Sequence, residues 1–82
     1  MNDVLIGKVM EYEEDGWCAT VNVVGHELNG DVESFSLKVT KTHCNPYFIK
    51  PESVPKEGSV FNVDRNIKYI DSGYISWELH NK

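Results

Sequence analysis

Two alternating segments and one turn make up residues 17–40, WCATVNVVGHELNGDVESFSLKVT. Successive side chains of a strand point to opposite faces, so every second residue shares one face. The segment Trp17–Val24 therefore presents one apolar face, formed by Trp17, Ala19, Val21 and Val23. The segment Val32–Thr40 presents another, formed by Phe35, Leu37 and Val39. Asn29-Gly30 lies between them and is a strong hairpin signal, because a tight turn needs positive φ angles. Residues 17–40 predict an antiparallel hairpin with one buried face.

The chain before this hairpin predicts a further strand. Val4–Glu13 is rich in strand-compatible residues and ends at Glu14-Asp15-Gly16, where Asp-Gly is a second tight-turn signal. Gly25, inside the central hairpin, marks either a bulge or the end of a strand. The first 40 residues thus predict a three-stranded meander.

The second half of the chain predicts an irregular connection and two more strands. Residues 41–58 contain all three prolines, which argue against a long helix. A fourth strand is expected from Ser59, with Phe61 and Val63 facing inward, and its continuation through Ile67–Ile70 is left open. After a turn at residues 71–73, the last strand is expected at Tyr74–Leu79, with one face formed by Ile75, Trp77 and Leu79.

These elements predict an all-β fold with little or no helix, because no segment keeps a 3.6-residue apolar period. The expected order is a meander, a long connection and a closing hairpin of the last two strands. Five strands in an 82-residue chain protect their edges best by curling into a small barrel. Residues 1–82 are therefore predicted to form a single β-barrel domain.

The order resembles that of the OB-fold. Three short pieces look similar to single-stranded DNA-binding members of that fold: VLIGKV (residues 4–9), SFSLKV (34–39) and KEGSVFNV (56–63). The resemblance implies a five-stranded barrel. Two features depart from it, since the OB-fold usually has a helix before the fourth strand and has the serine-and-lysine piece earlier. An SH3-like five-stranded barrel is the alternative, because it accepts long loops and needs no helix.

The charge is acidic and unevenly distributed. The 8 Lys and Arg residues against 13 Asp and Glu residues give a formal net charge of -5. Residues 1–34 contribute eight acids and one base, and residues 35–82 contribute five acids and seven bases. An acidic protein is not expected to bind phosphates strongly. The asymmetry indicates a partner, or alternatively a solvated acidic hairpin.

The remaining composition predicts a cytoplasmic protein. No segment approaches the ~20 apolar residues of a membrane span, and we expect no signal peptide. Two cysteines, Cys18 and Cys44, are too few for a disulfide scaffold and favour a reducing compartment, although a bridge between them is left open.

No catalytic, metal or cofactor site is predicted. The histidines and cysteines lack the close spacing of zinc ligands. Cys44 with His43 or His26 could be imagined as a nucleophile and base, but no third group is placed. We therefore expect a binding protein rather than an enzyme.

The favoured hypothesis is a protein-binding surface on the first two hairpins. Such a surface attracts a basic partner and sets specificity. Its acids are expected to form one negative face, with Tyr12 as an exposed aromatic anchor and Trp17 in the core. The predicted residues are Glu11, Tyr12, Glu13, Glu14, Asp15, Glu27, Asp31 and Glu33. In size and charge the chain is similar to small phage-encoded inhibitors and to bacterial immunity proteins.

The alternative is an OB-type protein that binds single-stranded nucleic acid through its basic second half. That function needs cations along a groove and aromatic rings on which bases stack. The candidate residues are Lys38, Lys41, Tyr47, Lys50, Arg65, Lys68 and Tyr69. The sequence leaves the oligomeric state open.

Overall fold

The computed structural model describes residues 4–14, 16–44, 47, 49–73 and 75–81. They form five strands, namely β1 (Val9–Glu14), β2 (Trp17–Asn29), β3 (Val32–Cys44), β4 (Val60–Asn66) and β5 (Trp77–Asn81). Two short 3₁₀ helices cover Pro51–Ser53 and Ile67–Tyr69, and the described part of the chain holds no α-helix. None of its helices has the length and apolar character needed to cross a membrane.

The strands form one antiparallel sheet in the order β4-β3-β2-β1-β5. The predicted all-β class with five strands is confirmed. The meander β1–β3 is also confirmed, since each of these strands pairs with the next one in the chain.

The central hairpin is longer than the sequence indicated. β2 and β3 extend beyond Val24 and Thr40, because register shifts at Thr20/Val21 and Val23/Gly25 absorb irregular residues without ending the ladder. Gly25 thus marks a bulge rather than a strand end. A Cβ atom at this position would lie 3.1 Å from the Cβ of Ser36, so the two strands approach closely here.

The core lies on the predicted inner faces. All inward residues proposed for β2 and β3 are buried, and the partly buried Phe61, Val63, Ile75 and Leu79 pack against them. The buried set consists of Met10, Tyr12, Trp17, Ala19, Val21, Val23, Phe35, Leu37, Val39, Val54 and Trp77. Strand alternation therefore predicted the core of each strand to which it was applied.

The predicted closing hairpin is wrong, because β4 and β5 lie at opposite edges of the sheet. β4 pairs with β3, and β5 pairs with β1. The intervening chain leaves the sheet after Asn66, whose side chain accepts a hydrogen bond from the backbone N–H of Lys68. This bond begins a 3₁₀ helix at Ile67–Tyr69, a segment in which the sequence alone allows a continued strand. The segment then carries the chain to the other edge.

The sheet curls until its two edge strands meet through side chains. Trp77 of β5 donates from its indole nitrogen to the carbonyl oxygen of Asp64 in β4, over 3.3 Å. The rings of Tyr12 and Phe61, from β1 and β4, have centroids 5.0 Å apart. Because β4 and β5 share no ladder, the barrel stays open along this seam.

Candidate protein-binding surface

Acidic side chains project from the outer face of β1. Glu11 and Glu13 alternate with the buried Met10 and Tyr12, so they point away from the core. Glu14 ends the strand and is exposed, but its register with the buried Trp17 and Trp77 places it on the inner side, beside Tyr12. The register with β5 places Glu78 directly opposite Glu13. We define the carboxylate patch as Glu11, Glu13, Glu14 and Glu78.

The patch contains an unfavourable pair of like charges. Glu13 and Glu78 are cross-strand neighbours, and their side chains are 58% and 66% exposed. Like charges at directly opposed positions destabilise a sheet. His80 lies beside them, with Nε2 at 2.9 Å from Glu78 Oε2 and 3.8 Å from Glu13 Oε2. The imidazole offsets the repulsion only when it is protonated.

The other two carboxylates of the patch accept hydrogen bonds from neighbours. Thr20 Oγ1 donates to Glu11 Oε1 over 2.9 Å. Tyr12 donates from its hydroxyl to Glu14 Oε2 over 3.2 Å. Both bonds hold an acidic side chain in place while leaving its charge uncompensated, so the patch remains negative.

The expectation that Tyr12 is an exposed anchor is wrong. Its side chain is 1% exposed, because it occupies an inward position of β1. Its ring packs against three aromatic rings, those of Trp17, Phe61 and Trp77, at centroid distances of 5.2, 5.0 and 5.8 Å. Burial, followed by the charge of Glu14 and the hydrogen bond to it, raises the pKa of the Tyr12 hydroxyl far above its ordinary value. Trp17 is in the core, as expected.

The predicted acids do not form one face. Glu27, Asp31 and Glu33 lie at or next to the β2–β3 turn, whereas Glu13 and Glu14 of β1 pair with the opposite end of β2. Asp31 is paired with Lys68 over 3.0 Å. The alternation of apolar residues does not predict the full length of β2, and this length separates the acids at the β2–β3 turn from the acids of β1. Asp15 lies outside the described residues.

The carboxylate of Glu33 lies on the inner side of the curled sheet and is paired there. It is 14% exposed and accepts from Arg65 Nε, while its other oxygen lies against His26 Nε2, both at 2.7 Å. Arg65 also lies over the rings of Phe35 and Trp77, at 5.4 and 5.3 Å from their centroids. Burial alone would raise the pKa of Glu33, but the hydrogen bonds and charges of His26 and Arg65 outweigh it and lower the pKa.

The predicted nucleic-acid residues are also dispersed. Lys38 and Lys41 are exposed on β3, and Lys38 points outward between the buried Leu37 and Val39. Arg65 points inward and is bound to Glu33, so it is not available to a phosphate. The structure places the remaining four as follows: Lys68 is paired with Asp31, Lys50 is exposed, and Tyr47 and Tyr69 are 93% and 49% exposed. These positions do not line one groove.

The two cysteines are free and lie on opposite faces. Cys18 is paired in register with His43, whereas Cys44 is paired with Trp17 and packs against the core. Because neighbouring register positions face opposite sides, the thiols are not aimed at each other. Burial, followed by the charges of Glu11 and Glu13, raises the pKa of the Cys18 thiol, which opposes the reactive thiolate.

The sheet register also creates one group of potential metal ligands. Glu13, Glu78 and His80 have ligand atoms within 4.8 Å of one another. Spacing along the sequence missed this group because its members come from two paired strands. All three side chains are exposed, and the existing imidazole–carboxylate contacts account for their closeness.

A shallow groove of about 390 Å³ runs along the inner side of β5. Its walls come from the last strand, from the turn after the second 3₁₀ helix and from Arg65 of β4, and they include Ile70, Asp71, Ile75, Trp77 and Leu79. Glu78 stands at its rim, so the groove and the carboxylate patch share the same strand. Comparisons of the chain with protein-family models, with curated proteins and with solved structures find no match.

Proposed function

We propose that this protein is a non-enzymatic binding module that docks its carboxylate patch on a basic surface of a protein partner. The observation that carries the proposal is the direct opposition of Glu13 and Glu78, with Glu11 on the same face and Glu14 exposed at the end of β1. Such a pair costs stability in the free protein, and a lysine or arginine of a partner would relieve the cost.

The surface is smaller than the one that the sequence suggested. Glu33 and Asp31 are satisfied within the molecule, by Arg65 and Lys68, and are removed from the proposal. Tyr12 is buried and is not proposed to contact the partner. Its hydroxyl donates a hydrogen bond that holds Glu14 in place. The patch keeps the three acids of β1 and gains Glu78.

An inhibitory or immunity-type role fits this surface. A basic protein surface that binds nucleic acid presents lysines and arginines to phosphates. Carboxylates fixed on a rigid sheet can occupy the same cations and so exclude the nucleic acid. The partner would then be a nucleic-acid-binding protein whose basic site is blocked.

The strand order favours the SH3-like barrel over the OB-fold as the closer description. The OB likeness expected the last two strands to close as a hairpin, and here they lie at opposite edges. The order β4-β3-β2-β1-β5, with the last strand beside the first, supports the SH3-like alternative. The alternative of OB-type single-stranded nucleic-acid binding loses this fold-level support, together with Arg65 from its site.

Capture from a lysate by three immobilised chains tests the proposal. We compare the wild type, Glu13→Lys with Glu14→Lys, and a control, Glu52→Lys with Glu57→Lys, which makes the same charge change at two exposed residues of the connection. We expect a basic protein to be retained by the wild type and the control and lost by the patch variant.

A labelled single-stranded oligonucleotide distinguishes the alternative. The proposal expects no binding to the purified chain. A dissociation constant below about 10 μM at low salt, weakening steeply as salt rises, would instead support the nucleic-acid function.

A further inference from the structure

We infer that the free edge of β5 receives an extended segment of the protein partner as an added strand, in which basic residues alternate with apolar ones. This inference rests on the proposed function, because the carboxylate patch supplies the charge complementarity. It adds the mode of binding and the sequence chemistry of the bound segment.

The edge of β5 has unpaired backbone groups. β5 lies at the end of the sheet and pairs with β1 on one side. In an antiparallel ladder, alternate residues direct their N–H and C=O groups away from the partner strand. Among the described residues, no backbone group of Trp77–Asn81 is hydrogen-bonded outside the ladder with β1. Such an edge is a template for another strand.

The inner side of this edge suits apolar side chains. Ile75 and Leu79 are half-buried there, and Trp77 is buried. Ile70 lies across the groove and is 43% exposed. A strand added beside β5 would direct every second side chain into the groove. An apolar side chain at those positions would cover the exposed part of this wall.

The outer side suits basic side chains. Glu78 and His80 are the outward residues of β5, and Glu13 lies directly behind Glu78 on β1. Cross-strand neighbours have Cβ atoms about 4.5–5.5 Å apart. The outward side chains of an added strand would therefore lie beside Glu78, and a lysine or arginine could also reach Glu13. The two faces of β5 together select a segment with alternating basic and apolar residues.

Charge argues against a second copy of this chain as the added strand. Pairing of two β5 edges would bring Glu78 and Glu13 of both copies to one continuous outer face. Four carboxylates would then repel one another across the new ladder. The edge strand β4 offers a poorer alternative, because the Trp77 indole engages a backbone acceptor of β4, the Asp64 carbonyl oxygen, but only a side chain of β5, whose edge keeps its backbone groups.

Synthetic peptides test the added strand. The probe is a capped octapeptide of alternating lysine and valine, measured by calorimetry against the wild type. Two modified peptides carry N-methyl groups at every lysine or at every valine, which removes the donors along one edge of the strand while keeping the charge. A glutamate–valine peptide controls for sequence pattern without positive charge.

Two protein variants complete the design. Glu13→Lys with Glu78→Lys removes the outer-face acids, and Glu52→Lys with Glu57→Lys is the matched control. We expect the lysine–valine peptide to bind the wild type and control equally and the patch variant at least about tenfold more weakly, since several charge pairs are lost. At least one methylated peptide should lose about tenfold in affinity for the wild type, because its strand edge can no longer donate.

The outcomes separate the two proposals. If both methylated peptides bind like the parent peptide while the patch variant binds weakly, strand addition is wrong and acidic docking stands. If the patch variant binds as well as the wild type, both proposals fail. If no peptide binds, strand addition is wrong, and the capture experiment alone decides acidic docking. A wild-type dimer in sedimentation that Glu78→Lys alters would identify a second copy as the occupant and overturn the inference. The methylation series uses the wild type alone, so it decides the matter even if the patch variant does not fold.

Discussion

Arg65 is the residue whose role differs most between the sequence interpretation and the structure. The sequence, in which Arg65 is a cation of the basic half, makes it a candidate for a nucleic-acid site. In the structure it binds Glu33 and lies over the rings of Phe35 and Trp77. A signal for this position was present, because Arg65 follows Phe61 and Val63 at alternate positions of one strand. The charge of Arg65 alone does not predict that the carboxylate of Glu33 lies beside it on the inner side of the sheet.

Replacement of Arg65 with Met should destabilise the fold. It leaves the half-buried carboxylate of Glu33 without its guanidinium and removes the contacts with the two rings. We expect a loss of about 2 kcal/mol in the free energy of unfolding, less than for a fully buried pair. Urea denaturation followed by tryptophan fluorescence measures it.

Two companion variants show which interaction matters. Arg65→Lys keeps the charge without the planar stacking and should recover part of the loss. Arg65→Met combined with Glu33→Leu removes both charges and should be more stable than Arg65→Met alone. Equal stability of Arg65→Met and wild type would show that this ion pair contributes nothing.

The lowered pKa of Glu33 predicts a loss of stability in acid. A carboxyl whose pKa is lower in the folded state than its ordinary value of 4.5 binds fewer protons there than in the unfolded chain. Its stabilising contribution is therefore complete above the unfolded pKa and is lost as pH falls from about 4.5 through the folded pKa. In urea titrations at several pH values, the stability difference between wild type and Glu33→Gln should shrink across this window. Glu52→Gln, at an exposed position, is the control and should follow the wild type; a constant difference for Glu33→Gln would contradict the linkage.

At the scale of elements, local signals predicted where the strands lie in the sequence, but they did not predict every pairing between strands. The turn at Asn29-Gly30 and the alternation around it fixed β2 and β3, since both depend on residues close in sequence. The positions of β4 and β5 depend on which edge of the sheet each strand joins. That choice follows from non-local pairing of β5 with β1 and from the 3₁₀ helix after Asn66, neither of which has a strong local pattern.

The β2–β3 turn gives a test at this scale. Asn29 pairs with Val32, so Gly30 and Asp31 are the two central residues, and Gly30 has φ of +61°. No neighbouring atom lies within 4 Å of a Cβ at Gly30, so a side chain there adds strain and no clash. Gly30→Ala should lower the free energy of unfolding by about 1 kcal/mol.

The matched control is D-alanine at position 30, introduced by ligating synthetic fragments at Cys44. A D-residue prefers positive φ, so this variant should be at least as stable as the wild type. Urea denaturation compares all three chains. If L-alanine and D-alanine give the same stability, the turn does not require a positive φ.

At the scale of the whole molecule, the acidic residues divide into a satisfied group and an unsatisfied one. The sequence predicted three members of the carboxylate patch, Glu11, Glu13 and Glu14, because they cluster before a turn. It missed Glu78, which is 65 residues from Glu13 in the sequence and joins it only through the β1–β5 register. It misplaced Tyr12 because the inward face of β1 had not been assigned. Charge clustering is visible in a sequence, whereas compensation by a distant base is not.

The proposed function predicts that stability and binding change in opposite directions at Glu78. Glu78→Lys places a cation opposite Glu13 and converts a repulsive cross-strand pair into an attractive one. At low salt it should stabilise the free protein by about 0.5 kcal/mol. The gain should disappear near 1 M salt, where the screening length is only ~3 Å.

The same change should weaken capture of the basic partner, because it removes a carboxylate that the partner's cation would occupy. Urea denaturation at both salt concentrations and capture from lysate make the comparison, with Glu52→Lys as the control that should alter neither quantity appreciably. A more stable Glu78→Lys protein that still captures the partner fully would mean that the charge repulsion in the patch has no part in recognition.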